Sequence, residues 1–332
     1  MNQLSSFFPN LAFKFKTSFL FIFLFVFISG SAVFAQVKDN KNEKKNSVTN
    51  EKVESTNNNK AGDEHEAEDN TKLDIISKVV DHDYVDFYML GKLHLPKFPP
   101  VKIGSVVIDF SVTKSLFMMI VSSLLLVIVL SIAASKNAKS KVPTGLGNMI
   151  ESIVVFIRDE VVIANMGQGG VKFLPFFLTL FFFILFANFI GLFPFMAQPT
   201  KNINVTGGLA LVTFAMTQVM GVKHNGLKYF KNLVPPGIPI FVMPIMIVVE
   251  FIGLFTKPFS LMIRLFANIT AGTIIILSLI GLIFILNYTG AVIAVPFALF
   301  IYCLEIFVAL LQAYIFTMLS VLFIQGAIHQ DH

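Results

Sequence analysis

Apolar and polar positions along this chain fall into long blocks rather than short periods. The apolar blocks are Leu116–Ala134, Phe173–Phe195, Val205–Val222, Pro244–Leu286 and Ala291–Ile328. Each is long enough to be read as a membrane-crossing helix. The fourth block has 43 residues without a clear loop, about 65 Å as one helix. The fifth has 38, about 57 Å. A hydrocarbon core is about 30 Å thick, so each is either two spans or one strongly tilted helix. The preferred reading is two long tilted helices in a hairpin, joined by the uncharged linker Asn287-Tyr288-Thr289-Gly290. Residues 146–165 differ, with apolar residues along one side and Glu151, Arg158, Asp159 and Glu160 polar. That pattern suits a helix lying at the membrane interface, or one packed against a partner. The fold class is therefore an all-α polytopic membrane protein with about five spanning helices and one interfacial helix.

The amino-terminal region reads differently. Lys14 and Lys16 precede a short apolar run, Phe19–Ile28, and then a small-residue stretch ending at Ala35. This is the layout of a secretory signal over residues 1–35, cleaved after Ala35; the alternative is an uncleaved anchor helix. Residues 36–74 are rich in Lys, Asn, Glu and Asp and read as a disordered exported tether. Residues 75–112 mix apolar and charged positions with Pro96, Pro99 and Pro100, which suggests a short exported cap with a strand pair near Val101–Phe110. Residues 113–328 form the membrane domain, and 329–332 a cytoplasmic tail.

Composition supports this division. Of 332 residues, 55% are hydrophobic, 38 are Phe, none is Trp and one is Cys. Lone Cys303 excludes an intramolecular disulfide framework and a multi-Cys zinc site. His65, His82 and His94 lack a metal-ligand spacing. The net charge of +5 averages two materials. Residues 36–110 carry 14 acids and 11 Lys, while 173–328 carry two acids and six cations. No basic patch with interleaved aromatics is present, so no nucleic-acid partner is implied. Lys136, Lys139 and Lys141 follow the first span, and Lys223, His224, Lys228 and Lys231 follow the third. The positive-inside rule puts both clusters in the cytoplasm and the mature amino terminus on the exported side. The location implied is the inner (plasma) membrane of a bacterium, crossed several times, with the carboxyl terminus cytoplasmic.

Charges within a bilayer are costly and mark function. Glu250, Lys257 and Arg264 are spaced by seven, so they share one helix face, with Ser260 and Asn268 four residues either side of Arg264. On the last block, Glu305 and Gln312 are also seven apart, and Tyr302 precedes Glu305 by three. Two helices thus each carry a polar stripe. One account is static pairing, Glu250 with Lys257 and Arg264 with Glu305. The other is a wet path along both helices. Lys257, next to Pro258, can snorkel as a structural cation. Glu305 is placed for titration, because burial and a nearby cation push a carboxylate's proton affinity in opposite directions. Arg264 holds a permanent charge, suited to electrostatic work but not to relaying protons. Ala267, Ala271 and Gly272 leave room for a second helix, which points to a carboxylate-bearing partner from another chain.

The segment KPFSLMIRLFANITAG, Lys257–Gly272, closely resembles the signature helix of subunit a of the rotary F-type ATP synthase. LLQAYIFTMLS, Leu310–Ser320, resembles that family's last helix, and PTKNINVTGGLAL, Pro199–Leu211, its loop before the fourth helix. The resemblance covers roughly residues 75–328. It implies the proton-translocating stator of the Fo sector, with two aqueous half-channels leading to the carboxylate of a rotating c-subunit ring. The partners implied are the c-ring, the b-subunit stator stalk, the remaining F1Fo subunits and membrane lipid. The ion implied is H⁺ ahead of Na⁺, and no cofactor is implied. Arg264 matches the arginine that separates the half-channels; Asn268, Gln312 and Ser260 match polar neighbours, and Glu250 a carboxylate of the proton path. Some positions depart from the pattern. Thr273 stands where some relatives have an acid or His, Glu305 where some have His, and Asn202 where an acid is common. These departures leave Glu305 as the titratable group of the exported-side channel.

Other classes fit less well. A secondary cation/proton transporter would share buried charges, but no repeat of the 244–286 pattern occurs. A passive assembly subunit would not need Arg264 at mid-membrane. No GxxxxGK[ST] loop is present, so no catalytic site for ATP is placed on this chain.

Overall fold

The computed structural model describes residues 113–139, 145–193, 196–226, 228–231 and 241–329, together with the backbone of four short strands. The signal, the tether, most of the cap and the last three residues lie outside the described residues. β1 (Tyr84–Phe87) pairs antiparallel with β2 (Gly91–His94), placing Asp86 opposite Lys92. β3 (Val101–Ile103) pairs with β4 (Val106–Ile108), the strand pair that the sequence suggests near Val101.

The membrane domain is all helix. It comprises α1 (Lys114–Lys139), α2 (Leu146–Phe156), α3 (Ala164–Met166), α4 (Leu174–Ile190), α5 (Ile203–Asn225), α6 (Lys228–Lys231) and α7 (Met243–Ile328). Among the described residues, five segments are long and apolar enough to cross a membrane: Lys114–Ser135, Gln168–Ile190, Ile203–Asn225, Met243–Ile283 and Gly290–Ile328.

α4 is apolar on every side, as a centrally packed helix should be. Its residues are buried apart from Phe186 and Phe189, and Pro175 sits in the first turn, where its missing N–H costs nothing. The helix stops at Ile190, short of the expected Phe195, with Gly191 as its C-cap still in right-handed helical backbone. A Cβ at Gly191 would come within 2.2 Å of the Gln198 side chain. Gly191→Ala is therefore expected to cost about 1–3 kcal/mol by overpacking, read as a lower midpoint of thermal unfolding in detergent.

α5 starts at Asn202, whose Oδ1 accepts a hydrogen bond from the Asn204 N–H at 2.9 Å. It ends at Gly226, with φ of 59°, a left-handed stop that glycine makes without strain. The interfacial segment is α2 and α3 joined by a π-helical stretch, Ile157–Ile163. Ile150, Val154, Ile157 and Val161 form its buried seam, while Leu146, Met149 and Phe156 are exposed. The segment is thus packed along one side, with large apolar residues exposed along another.

α7 is 86 residues of helical backbone. Straight, it would hold residues 44 positions apart about 66 Å from each other. Instead Asn268 Nδ2 donates to Gln312 Oε1 at 3.2 Å, and Thr273 Oγ1 donates to Glu305 Oε1 at 3.4 Å. Both pairs are symmetric about Thr289–Gly290, so α7 doubles back there into an antiparallel hairpin. The hairpin is as expected. The linker is not a loop, since helical backbone continues through Asn287–Gly290. The outward surfaces of both limbs are apolar, including Phe251, Phe255 and Phe259 on the first and Val292, Ile293, Phe300 and Phe307 on the second. Such an area belongs against lipid or a partner protein, not water.

Candidate functional site

The hairpin brings the two polar stripes into register. The first limb buries Leu261, Leu265 and Ile269 at four-residue spacing. Asn268 lies beside that seam and reaches across to Gln312, which is buried. One turn further on, Thr273 meets Glu305, also buried at 8% exposure. Gly272 lies against it: a Cβ there would stand 3.4 Å from Glu305 Oε1, about ordinary contact distance. Gly272 thus faces a carboxylate of the same chain, whereas the sequence reading reserves Ala267, Ala271 and Gly272 for a partner. Ala267 and Ala271 do remain exposed.

Arg264, one turn before Asn268, makes no such contact. It is exposed, and among the described residues it has neither an ion pair nor a hydrogen bond. The level of Thr273 and Glu305 lies nine residues further along the helix, about 13 Å of rise. The static pairs proposed from sequence do not form: Arg264 is not bonded to Glu305, nor Glu250 to Lys257. The ion pair that is seen, Arg158 with Asp159 at 2.7 Å, lies in the interfacial segment and is local. Its Arg158 hydrogen bond holds the Asp159 carboxyl below the usual range. Ser260 and Lys257 are exposed and Glu250 half-buried on the same limb as Arg264. Of the expected site residues only Asn268 and Gln312 are therefore brought into direct contact among the described residues, with Glu305 bonded across the limbs to Thr273; Arg264, Ser260 and Glu250 lie along the first limb outside these bonds.

A polar cluster that the sequence reading did not assemble lies beside Glu305. Tyr302, one turn earlier, donates its hydroxyl to the Leu192 carbonyl. Asn188 of α4 accepts at Oδ1 from Thr200 Oγ1, 2.7 Å away, and donates to the Ala309 carbonyl at 3.3 Å. Gln198 donates to the Asn188 carbonyl at 3.4 Å, leaving its buried Oε1 without a partner. These bonds fix a 3₁₀ turn, Pro199–Lys201, against α1, α4, α5 and α7. Lys201 ends that turn. Burial lowers its pKa to about 8, against the opposing field of Glu305, with Lys114 lowering it further. No spacing rule could have found this lysine, because the three charges come from three separate elements.

At the opposite end of α5 lies a crevice of about 130 Å³, lined among others by Thr217, Gln218, Tyr229, Lys257 and Pro258. Burial pushes the Tyr229 hydroxyl above its ordinary pKa, partly offset by its hydrogen bond with Gln218. Thr270 Oγ1, on the first limb, is buried without a hydrogen-bond partner among the described residues. Among the described residues no group of three or more His, Cys, Asp or Glu could hold a metal ion.

A family profile described as "ATP synthase A chain" matches residues 116–325, which include both limbs of the hairpin and all six expected site residues. The chain belongs to the ATP synthase A chain family. Similar proteins include ATP synthase subunit a of Chloroherpeton thalassium, 48% identical over 269 residues, or 80% of this chain and 79% of that one. Subunit a of Pelodictyon phaeoclathratiforme is 49% identical over 264 residues, 78% and 76% of the two chains. Subunit a of Myxococcus xanthus is 47% identical over 233 residues, 68% and 77%. As an A chain it is a membrane subunit of the proton-translocating Fo sector, and ATP chemistry belongs to other subunits of the complex. The secondary-transporter reading is not favoured.

Proposed function

We propose that the α7 hairpin is the stator face of an ion turbine, with Arg264 dividing two aqueous routes to a carboxylate on a rotating c-ring. The observation that carries this reading is the division of polar groups on the hairpin. Glu305, Asn268 and Gln312 are tied between the limbs, while Arg264 is left unpartnered on an exposed apolar face. A permanent cation on a surface meant for the membrane is stable only when a partner supplies the counter-charge. A ring carboxylate meets that need and would be drawn into its charged form as it passes.

Polar groups at both ends of α5 support routes from both sides. An unsatisfied buried polar group costs about 1–3 kcal/mol, so Gln198 Oε1 calls for water or a partner chain. Gln198 adjoins the Glu305 cluster, and Gln218 lines the crevice at the other end of α5. In this reading the first opens to the exported side, with Glu305 as its titratable group. The second opens to the cytoplasm, where Lys223, His224 and the carboxyl terminus lie. Ser260 and Glu250 extend the polar face of the first limb beyond Arg264. The mature amino terminus is exported, the membrane is the bacterial inner membrane, and the b-subunit stalk and remaining F1Fo subunits complete the assembly.

ATP-driven acidification of inverted vesicles carrying this chain's complex tests the reading. Acidification that persists in Na⁺-free buffer and collapses with a protonophore is expected. Uptake of labelled Na⁺ without acidification would overturn H⁺ as the ion.

A further inference from the structure

We propose that Lys201 is a positioning residue that biases the charge state of Glu305, and so sets the pH range over which the exported-side route loads protons. This inference rests on the reading of Glu305 as the titratable group of that route.

The geometry of the turn carries the argument. Pro199 fixes one dihedral of the turn, and the Lys201 N–H donates to the Gln198 carbonyl at 3.1 Å. Thr200 is fully buried and bonded to Asn188, and Gln198 is 1% exposed and bonded to the same residue. Asn202, the next residue, is committed to capping α5. A backbone held on both sides in this way leaves Lys201 only side-chain freedom. Its charged surroundings are few. α4 contains no charged residue, and those of α5, Lys223 and His224, are at its far end. α1 contributes Lys114 at its first position, and α7 contributes Glu305. The turn is tied through Asn188 to the Ala309 carbonyl, one helical turn beyond Glu305, and the fields of Glu305 and Lys114 both reach Lys201 in a site that desolvates it.

A lysine kept there only to hold the turn would work equally well at any pH. This one loses its proton at about 8, within reach of the exported-side medium. Below that pH the ammonium favours the Glu305 carboxylate; above it that support is gone. As a general scale, two unit charges about 10 Å apart at an effective dielectric of about 20 shift each other's titration by about one pH unit, tenfold in proton concentration.

The test is passive proton conduction through Fo in F1-stripped vesicles, against pH on the side facing Glu305. Wild type, Lys201→Met, Lys201→Arg and Glu305→Gln are compared, with assembly followed by copurification of the ring. Wild type should change conduction around pH 8. Lys201→Arg, charged throughout, should lose that inflection and keep the low-pH behaviour up to pH about 10. Lys201→Met should behave at all pH as wild type does above 8, its loading midpoint moved upward by about one unit. If Lys201→Met does not assemble, the Arg variant alone decides. A uniform loss of amplitude with the inflection unmoved would make Lys201 structural and overturn the inference. Unchanged conduction in Glu305→Gln would instead overturn the role of Glu305 itself.

Discussion

Arg264→Ala is expected to abolish ATP-driven proton pumping while the complex still assembles with its ring. The structural half of this expectation follows from what Arg264 lacks. It is exposed and, among the described residues, holds no hydrogen bond or ion pair. Its removal therefore orphans no buried partner, the circumstance that makes charge deletions destabilising. A surface truncation without such a partner falls within about 0.5 kcal/mol. The functional half follows from charge. A cation about 4 Å from a ring carboxylate at an effective dielectric of about 20 is worth ~4 kcal/mol, about a thousandfold in rate if that contact gates release of the proton. Arg264→Lys keeps the charge but not the planar five-donor fork, and should recover only a small part. Dye-quench acidification in inverted vesicles, with ring copurification as the control, measures both halves. Pumping retained by Arg264→Ala would make the residue structural and reopen the transporter reading.

The contrast between Arg264 and its neighbours shows what a sequence can and cannot convey. Spacing of seven placed Glu250, Lys257 and Arg264 on one face, and the excess length of the last two apolar blocks favoured two tilted helices in a hairpin over four shorter spans. Both arguments use only helix periodicity and membrane thickness, which act within one element. Partner choice does not. Seven-residue spacing fitted both an Arg264–Glu305 pair and an open path, and only the register of the hairpin decides between them. That register puts Glu305 against Gly272 and Thr273, well beyond Arg264 along the axis. The helical course through Asn287–Gly290 was hidden for a related reason. Polar and glycine residues read as a loop by propensity, and packing of the two limbs overrides so weak a preference. The turn holding Lys201 depends on side-chain bonds between α4 and the segment after it, a contact with no periodic signal. The π-helical stretch at Ile157–Ile163 likewise adds a residue to a turn without changing composition.

Glu305→Gln should slow proton conduction about tenfold or more, yet less completely than loss of Arg264. The substitution is nearly isosteric. A glutamine Oε1 can still accept from Thr273 Oγ1, now at 3.4 Å, and Gly272 leaves the same space for it. What disappears is the ability to bind and release a proton next to the first limb. The loss is incomplete in this reading because water in the route can still deliver protons past Glu305, whereas nothing replaces the permanent charge that keeps the two routes apart. Glu305→Asp restores titration but shortens the reach toward Thr273 by about one bond, and an intermediate rate is expected. A second readout separates these variants from mere damage. The Glu305 field supports the charged form of Lys201 against burial and against Lys114. Removing that field in Glu305→Gln should let Lys201 fall further below its value of about 8, whereas Glu305→Asp should largely preserve it. Reactivity of the Lys201 amine toward an acylating reagent, followed against pH by mass spectrometry, would report the shift. An unmoved Lys201 titration in Glu305→Gln would mean that the two charges are not coupled, and the loss of conduction would then have to arise at Glu305 alone.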